Sequence, residues 1–294
     1  MRRLPLVTVD VFTSRPLQGN QLAVFTDGSG LSDRTMQAIA KEMNLSETTF
    51  VLPADGKQAR DGGVKVRIFT VDEELPFAGH PTLGTAWVLQ RANSEKQVVL
   101  DLAAGKIPVV FTSTKDGLFG EMTQRPPEFG AIHKREDVAR AFGLKPEDFE
   151  PELPIQTVST GVAFAVAPVR SLAVLRSLSF SWQQAAAYYE KSDAKFMYFV
   201  TRDTGDPGVR LRARMIFYNG EDPATGSAAG CAAAWMVRYG VASPDEQVVI
   251  EQGAEAKRLS RMFVRAGKRG DKVENVRVGG HCVEVMRGEL ALET

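Results

Sequence analysis

The feature that most constrains the fold is a correspondence between the two halves of the chain. Set against itself at an offset of 147, half of its 294 residues, the sequence places Arg67 over Arg214, Glu74 over Glu221, Pro76 over Pro223 and Gly79 over Gly226. In both halves a strand-like run (VRIF, ARMIF) leads through a turn holding an acidic residue, Pro and Gly into an Ala/Gly-rich stretch with helical character. Four identities alone are thin, but the order of element types repeats with them, which is the mark of a duplicated unit. Two similar domains are therefore expected, 1–150 and 151–294. PELPIQ at 151–156 reads as the linker, and the last strands are free to cross back to the first domain.

Local pattern fills in each half. Val7, Val9 and Val11 alternate, a Pro-Leu-Gln-Gly turn follows, and LAVF resumes the apolar run, which reads as a strand pair. Ser32 and Asp33 are placed to cap a helix carrying Met36, Ile39, Ala40 and Met43 at helical spacing. HPTLGTAWVLQRAN opens with Pro81 near a helix start, REDVARAFG stops at Gly143, and VRLRARMIF is read as one strand before the small-residue helix GSAAGCAAAWMVRYG. Mixed short strands and a few helices make this an α+β chain.

Three segments carry unusual chemistry. In ELPFAGHPTLGTAW a Gly-His-Pro turn enters a helix, so free amides and the positive helix end are available to an anion such as a carboxylate. His80 sits at that mouth, where its protonation state is tunable. In GEDPATGSAAGCAAAW, Asp222 precedes a proline, Gly226 allows a ligand close to the backbone, and Ser227 either caps the helix or bonds a bound carboxylate. In NLSETTFV, Glu47 lies where a helix gives way to an apolar strand, and a carboxyl at the edge of an apolar site is a candidate acid–base group. Taken singly each has an ordinary structural reading: a turn histidine, a capped helix, a solvated glutamate. Two like domains facing each other would bring both helix mouths to one cleft.

Several function classes are disfavoured. Lys plus Arg and Asp plus Glu each number 36, with no basic tract, which argues against a nucleic-acid partner. That balance also leaves little repulsion against self-association. No apolar run approaches the roughly 20 residues of a membrane span, and the Met-Arg-Arg start turns polar too soon for a signal peptide. The two cysteines, Cys231 and Cys282, form no metal spacing. No nucleophile elbow, metalloprotease helix, P-loop or dinucleotide fingerprint occurs. No metal or cofactor is expected, and a reducing, cytoplasmic setting is. His133, read in a polar loop, and His281 and Cys282, in an alternating strand, read as structural.

At VDVFTSRPLQGNQLAVF, KEMNLSETTFVL, ELPFAGHPTLGTAW, QTVSTG, EDPATGSAAG and the late EQG with Arg258 and Ser260, the chain resembles the PhzF family of phenazine-biosynthesis proteins. The likeness runs from residue 7 to about 260. It implies a fold of the diaminopimelate epimerase type, each half a curved sheet wrapped around a central helix, and it implies homodimers. It also implies that Glu47 moves a proton within a small cyclic or unsaturated acid of the trans-2,3-dihydro-3-hydroxyanthranilate kind. His80 and Asp222 would assist, and Gly79, Gly226, Ser227 and Asn20 would bind the substrate. Diaminopimelate epimerase resembles this fold but uses two cysteines, where this chain has Ala78 and Pro223; a two-thiol racemase is disfavoured and Cys231 lies too far along its helix to substitute. The chain departs from the family pattern in the short Tyr-Asn-Gly link after Phe217, in VDE before Glu74, and in AKRLS near the end. An amino- or hydroxy-acid racemase and a non-catalytic carboxylate-binding protein stand as alternatives.

Overall fold

The computed structural model describes residues 1–53, 62–217 and 220–292. They form two compact units: Met1–Thr123 with the chain from Gly279 onward, and Gln124–Val278.

In the first unit the elements are β1 (Arg2–Val11), β2 (Asn20–Phe25), α1 (Asp33–Met43), β3 (Glu47–Val51), β4 (Val64–Phe69), β5 (Glu74–Leu75), α2 (Gly79–Asn93), β6 (Gln97–Leu102), β7 (Gly105–Thr114) and β8 (Gly117–Thr123). The pairs β1–β2, β3–β4, β6–β7 and β7–β8 are antiparallel, while β2–β3 and β4–β6 are parallel. Parallel neighbours need a crossover; α1 and α2 supply the two. Ser32 caps α1 by accepting from the Thr35 amide, and α1 lays Met36, Ile39 and Ala40 onto Phe25, Phe50 and Phe69.

The central element is α2. Every residue from Gly79 to Val88 is buried, and a helix buried on all sides must be wrapped by its surroundings. It packs on β1, β2, β3, β6, β7 and β8. Gly84 makes the approach close enough: a Cβ there would stand 2.6 Å from Leu22 Cδ2 and 2.8 Å from Val11 Cγ2.

The second unit holds β9 (Glu128–His133), α3 (Arg135–Phe142), β10 (Ile155–Ser159), β11 (Ala163–Pro168), α4 (Leu172–Ser177), α5 (Trp182–Tyr189), β12 (Phe196–Thr201), β13 (Leu211–Arg214), β14 (Ile216–Phe217), β15 (Gly220–Glu221), α6 (Gly226–Arg238), β16 (Val248–Gln252) and β17 (Ser260–Arg269). The last strand, β18 (Lys272–Leu292), begins in this unit, and from Gly279 it belongs to the first, where it lies beside β8 and pairs with β1 to close the ring. From β10 the pairings run antiparallel, parallel, antiparallel, parallel, antiparallel, the series found from β1. All of Gly226–Val237 is buried.

The duplication therefore reaches the level of single bonds. Helices α2 and α6 begin at Gly79 and Gly226, one offset apart. Arg67 Nε and Nη2 donate to the two oxygens of Glu74, and Arg214 Nε and Nη2 donate to the two oxygens of Glu221 at 2.8 Å each.

Three expectations change. The division falls at 123/124 rather than 150/151, because β9 pairs with β10 and α3 packs its Val138, Ala139 and Phe142 into the second unit's core. PELPIQ is no linker: Leu153 is buried, Trp235 Nε1 donates to the Pro154 carbonyl, and β10 starts at Ile155. The VRLRARMIF strand breaks at Met215, whose carbonyl accepts from the Asp222 amide. The Tyr-Asn-Gly link includes residues 218–219, which lie outside the described residues. No helix among the described residues is long and apolar enough to cross a membrane.

Candidate active site

The candidate residues fall into two groups, one in each unit. In the first unit, Asn20 opens β2, Glu47 opens the neighbouring parallel β3 in register with Leu22, and Gly79 and His80 open α2. The chain folds this way locally because Asp10 Oδ2, buried, accepts from the Leu17 amide at 2.7 Å, tying down the turn that leads into Asn20. Asn20 Nδ2 stands 3.2 Å from His80 Nδ1. On the other side of the ring, His80 Nε2 stands 3.5 Å from Glu47 Oε2. His80 is only 3% exposed, and burial drives its pKa down to about 3 against the raising effect of a backbone hydrogen bond to Gln21. The ring is therefore neutral at ordinary pH, and its contact with Glu47 is not an ion pair. At 3.5 Å it is a long contact.

The mouth of α2 lies beside these side chains. Its N-cap, Ala78, is extended and provides no side-chain cap, and Pro81 has no amide proton. Amides of a helix's first turn lack intrahelical acceptors, so this end is suited to an anionic group.

In the second unit, Asp222 is 7% exposed and precedes the turn into α6. Thr225, not Ser227, is the N-cap of α6; Ser227 lies inside the first turn, buried beside Gly226. Asp222 Oδ2 accepts from Thr225 Oγ1 at 2.6 Å. Gln252, 1% exposed, clamps the turn from β16. Its Nε2 donates to the Asp222 carbonyl at 2.7 Å and to Thr225 Oγ1 at 2.9 Å, while its Oε1 accepts from the Thr225 amide at 3.2 Å and the Tyr198 hydroxyl at 3.0 Å. Gly253 completes the clamp with φ +84°, where a Cβ would meet Pro223 O at 2.5 Å. Gln124 holds the helix start, donating from Nε2 to the Gly226 carbonyl at 3.0 Å and accepting from Thr160 at 2.6 Å.

Asp10 lies in VDVFTSRPLQGNQLAVF and Thr225 in EDPATGSAAG, whereas Gln124 and Tyr198 carry no sequence signal that singles them out. Gln252 does, in EQG, although its partner Asp222 is thirty residues earlier. Both cysteines are buried and form no disulfide, and burial pushes the Cys231 thiol up to about 11. Among the described residues no group of three or more His, Cys, Asp and Glu is arranged to hold a metal ion. His133 is not a loop residue but ends β9, hydrogen-bonded to Tyr188 and Thr157.

Comparison with known proteins adds a family to this geometry. The sequence model of the phenazine biosynthesis-like protein family matches residues 9–288. Trans-2,3-dihydro-3-hydroxyanthranilate isomerase from Pseudomonas chlororaphis is 35% identical over 97% of this chain and 99% of its own. Among solved structures, a phenazine biosynthesis protein of the PhzF family from Bacillus anthracis is similar with a TM-score of 0.88 and 26% identity, covering 99% of this chain and 100% of that one. A predicted epimerase from Pseudomonas aeruginosa is similar with a TM-score of 0.84 and 36% identity, over 99% of this chain and 100% of that chain. The α+β fold of two like halves, each a sheet around a central helix, is the diaminopimelate epimerase type.

Proposed function

The chain belongs to the phenazine biosynthesis-like (PhzF) family of isomerases, and from that premise we propose that Glu47 is the proton shuttle of an isomerisation of a small cyclic or unsaturated carboxylic acid. The observation that carries the reading is the placement of Glu47 against a buried, neutral His80 at the uncapped mouth of α2. In the reaction Glu47 takes a proton from a carbon beside a double bond, the electron pair moves into the unsaturated system, and the same carboxyl returns the proton to another carbon. Atoms and charge balance, and no external oxidant or reductant enters. Neutral His80, its Nδ1 accepting from Asn20 Nδ2, carries its proton on Nε2 and donates from there to the substrate or to Glu47. The helix mouth at Gly79 holds the substrate carboxylate, and Asn20 steadies the His80 ring.

Asp222 is assigned the second proton-handling role, with Gly226 and Ser227 as substrate-binding residues at its turn. Substrates of the trans-2,3-dihydro-3-hydroxyanthranilate kind come first, because the relative that acts on that compound aligns over nearly the full chain. A two-thiol racemase finds no support, since the resemblance puts Ala78 and Pro223, neither of them titratable, where its thiols would be. A homodimer in the cytoplasm completes the reading, and light scattering in solution tests the dimer.

The central test is deuterium uptake from heavy water by trans-2,3-dihydro-3-hydroxyanthranilate and a panel of cyclic carboxylic acids, followed by mass spectrometry. Wild type should incorporate deuterium or rearrange at least one compound, and Glu47→Gln should lose at least about a hundredfold in rate. Full turnover by Glu47→Gln would sink the proposal; binding without exchange would favour a carboxylate-binding protein.

A further inference from the structure

His133 anchors a second polar network, made wholly of second-unit residues and sharing none with the site described above. Asp193 forms its inner end: Oδ2 accepts from the Ala131 amide at 2.8 Å and Oδ1 from Thr157 Oγ1 at 2.6 Å. Against the raising effect of burial, those bonds hold the Asp193 carboxyl below its ordinary value, so it is a carboxylate and only accepts. Gly130 leaves the room, since a Cβ there would stand 2.3 Å from Asp193 Oδ2. With its single hydrogen committed to Asp193, Thr157 Oγ1 accepts from His133 Nε2 at 2.7 Å. Burial lowers the His133 pKa against the pull of Asp193, and the ring is neutral at ordinary pH. With its proton on Nε2, its Nδ1 is bare and accepts from the Tyr188 hydroxyl at 2.6 Å. Every hydrogen in the row points inward, from Tyr188 to Asp193, and Tyr188 turns only lone pairs outward.

Tyr188 lines a groove of about 890 Å3 along β9, α3 and α5, a size that suits a small organic ligand. Lys134, Arg140 and Lys191 give it a positive rim. Arg140 reaches Asp137 at 3.6 Å, and the two lysines form no ion pair among the described residues. Ile132, 65% exposed, adds apolar wall with Ala141 and Ala187. The rim attracts an anion, while the outward lone pairs of Tyr188 repel it. One proton removes the conflict. Placed on His133 Nδ1, it makes that nitrogen a donor to the Tyr188 oxygen, and the Tyr188 hydrogen turns out into the groove. The imidazolium keeps its bond to Thr157 and gains the attraction of Asp193 Oδ1, 3.5 Å from Nε2.

We propose that this groove is a second binding site, for an organic oxyanion (a carboxylate, sulfonate or phosphate ester), taken up together with one proton on His133. The groups around the ring set the sign. Asp193, in the loop after α5, favours the imidazolium, and Thr157 on β10 is uncharged. Lys134, Arg140 and Lys191 disfavour it until an anion offsets them. Arg135 is turned to the carbonyls of Glu150 and Pro151. Burial, then Asp137 and Asp193, raises the Tyr188 pKa, so Tyr188 serves as a donor and never as a phenolate. Its neighbour Tyr189 accepts from the Met197 amide and is kept neutral by burial.

The chain has three histidines, so His133 can be followed by NMR in the full-length protein. Benzenesulfonate and sulfate are the probes, since neither changes charge between about pH 8 and pH 5.5. Benzenesulfonate should bind about tenfold tighter at the lower pH and raise the His133 titration midpoint by about one pH unit. Tyr188→Phe keeps the ring, removes the hydrogen and should lose most of both effects. Asp137→Asn removes an opposing charge and should tighten binding at both pH values. A His133 midpoint that benzenesulfonate leaves unmoved, or equal affinity at both pH values, would overturn the proposal. An undiminished response in Tyr188→Phe would overturn the part given to its hydrogen. Sulfate bound as tightly as benzenesulfonate would reduce the ligand to a bare ion and overturn its organic character.

Discussion

Gly230→Ala is a substitution for which the ordinary helix rule and the structure predict opposite signs. Inside a helix, alanine is favoured over glycine by about 1 kcal/mol. Gly230 lies in the body of α6 with no positive φ to forbid a side chain. A methyl group there would, however, sit 1.9 Å from Gln124 Oε1 and 2.6 Å from its Cδ. The amide must leave, and it is buried. Leaving breaks its bonds to Thr160 Oγ1 and to the Gly226 carbonyl, two buried bonds whose loss costs about 1–3 kcal/mol each when partners are left unmet. Against the helix gain, the net is a loss of about 3 kcal/mol. Urea unfolding read by tryptophan fluorescence measures it, Trp235 being buried in the same helix. The decisive control is Gln124→Ala: in that background the obstruction is gone, so Gly230→Ala should become stabilising. A single mutant as stable as wild type, or a penalty that persists in the double mutant, would refute the reasoning.

Other outcomes follow from the same geometry. His80 has a folded pKa of about 3 against an ordinary 6.5; the unfolded chain binds the proton first, so its stabilisation is complete above pH 6.5 and is lost as pH falls toward 3. His80→Asn should flatten the decline in unfolding free energy across that range by on the order of 1 kcal/mol per pH unit, and an unchanged slope would contradict burial of the neutral ring. Arg214→Ala should cost about 3–5 kcal/mol, since Arg214 is buried, holds Glu221, and donates to the carbonyls of Leu175, Arg176 and Leu178 at the end of α4. Its counterpart Arg67→Ala, whose partners Glu74 and Asp33 are 36% and 83% exposed, should cost about 1 kcal/mol or less; equal losses in thermal or urea melts would argue against the burial difference. Cys231, its thiol raised to about 11, should resist iodoacetamide at pH 8 in the native enzyme and leave turnover unchanged when replaced by alanine.

What could be read from the sequence follows from how local each determinant is. The helix at Gly79 and its echo at Gly226 were visible because a turn and a small-residue run are contiguous. Ser32 as a cap, Gly143 as a stop and the alternation of Val7, Val9 and Val11 are visible for the same reason. The Arg–Glu pairs were visible as matched letters, but their two-bond geometry was not. The clamp joins Tyr198 of β12 and Gln252 of β16 to Asp222 and Thr225 in the turn between β15 and α6, and Gln124 reaches Gly226 from the start of the second unit; no local pattern records such meetings. The division at 123/124 was missed for a related reason. Pro-rich PELPIQ has the composition of a linker, yet the pairing of β9 with β10 across it keeps both sides in one unit.

The path of β18 has a consequence for the order of manufacture. The second unit has all its residues once Val278 has emerged from the ribosome, whereas the first, begun earliest, still lacks the strand that pairs with β1 along Arg2–Val11. Until Gly279–Leu292 appears, the ring around α2 stays open and the edges of β1 and β8 are unsatisfied, so the unit made first is the one finished last. A nascent chain stalled just after Val278 should therefore protect the second unit from protease before the first, and the wait exposes β1 to pairing with other chains during synthesis.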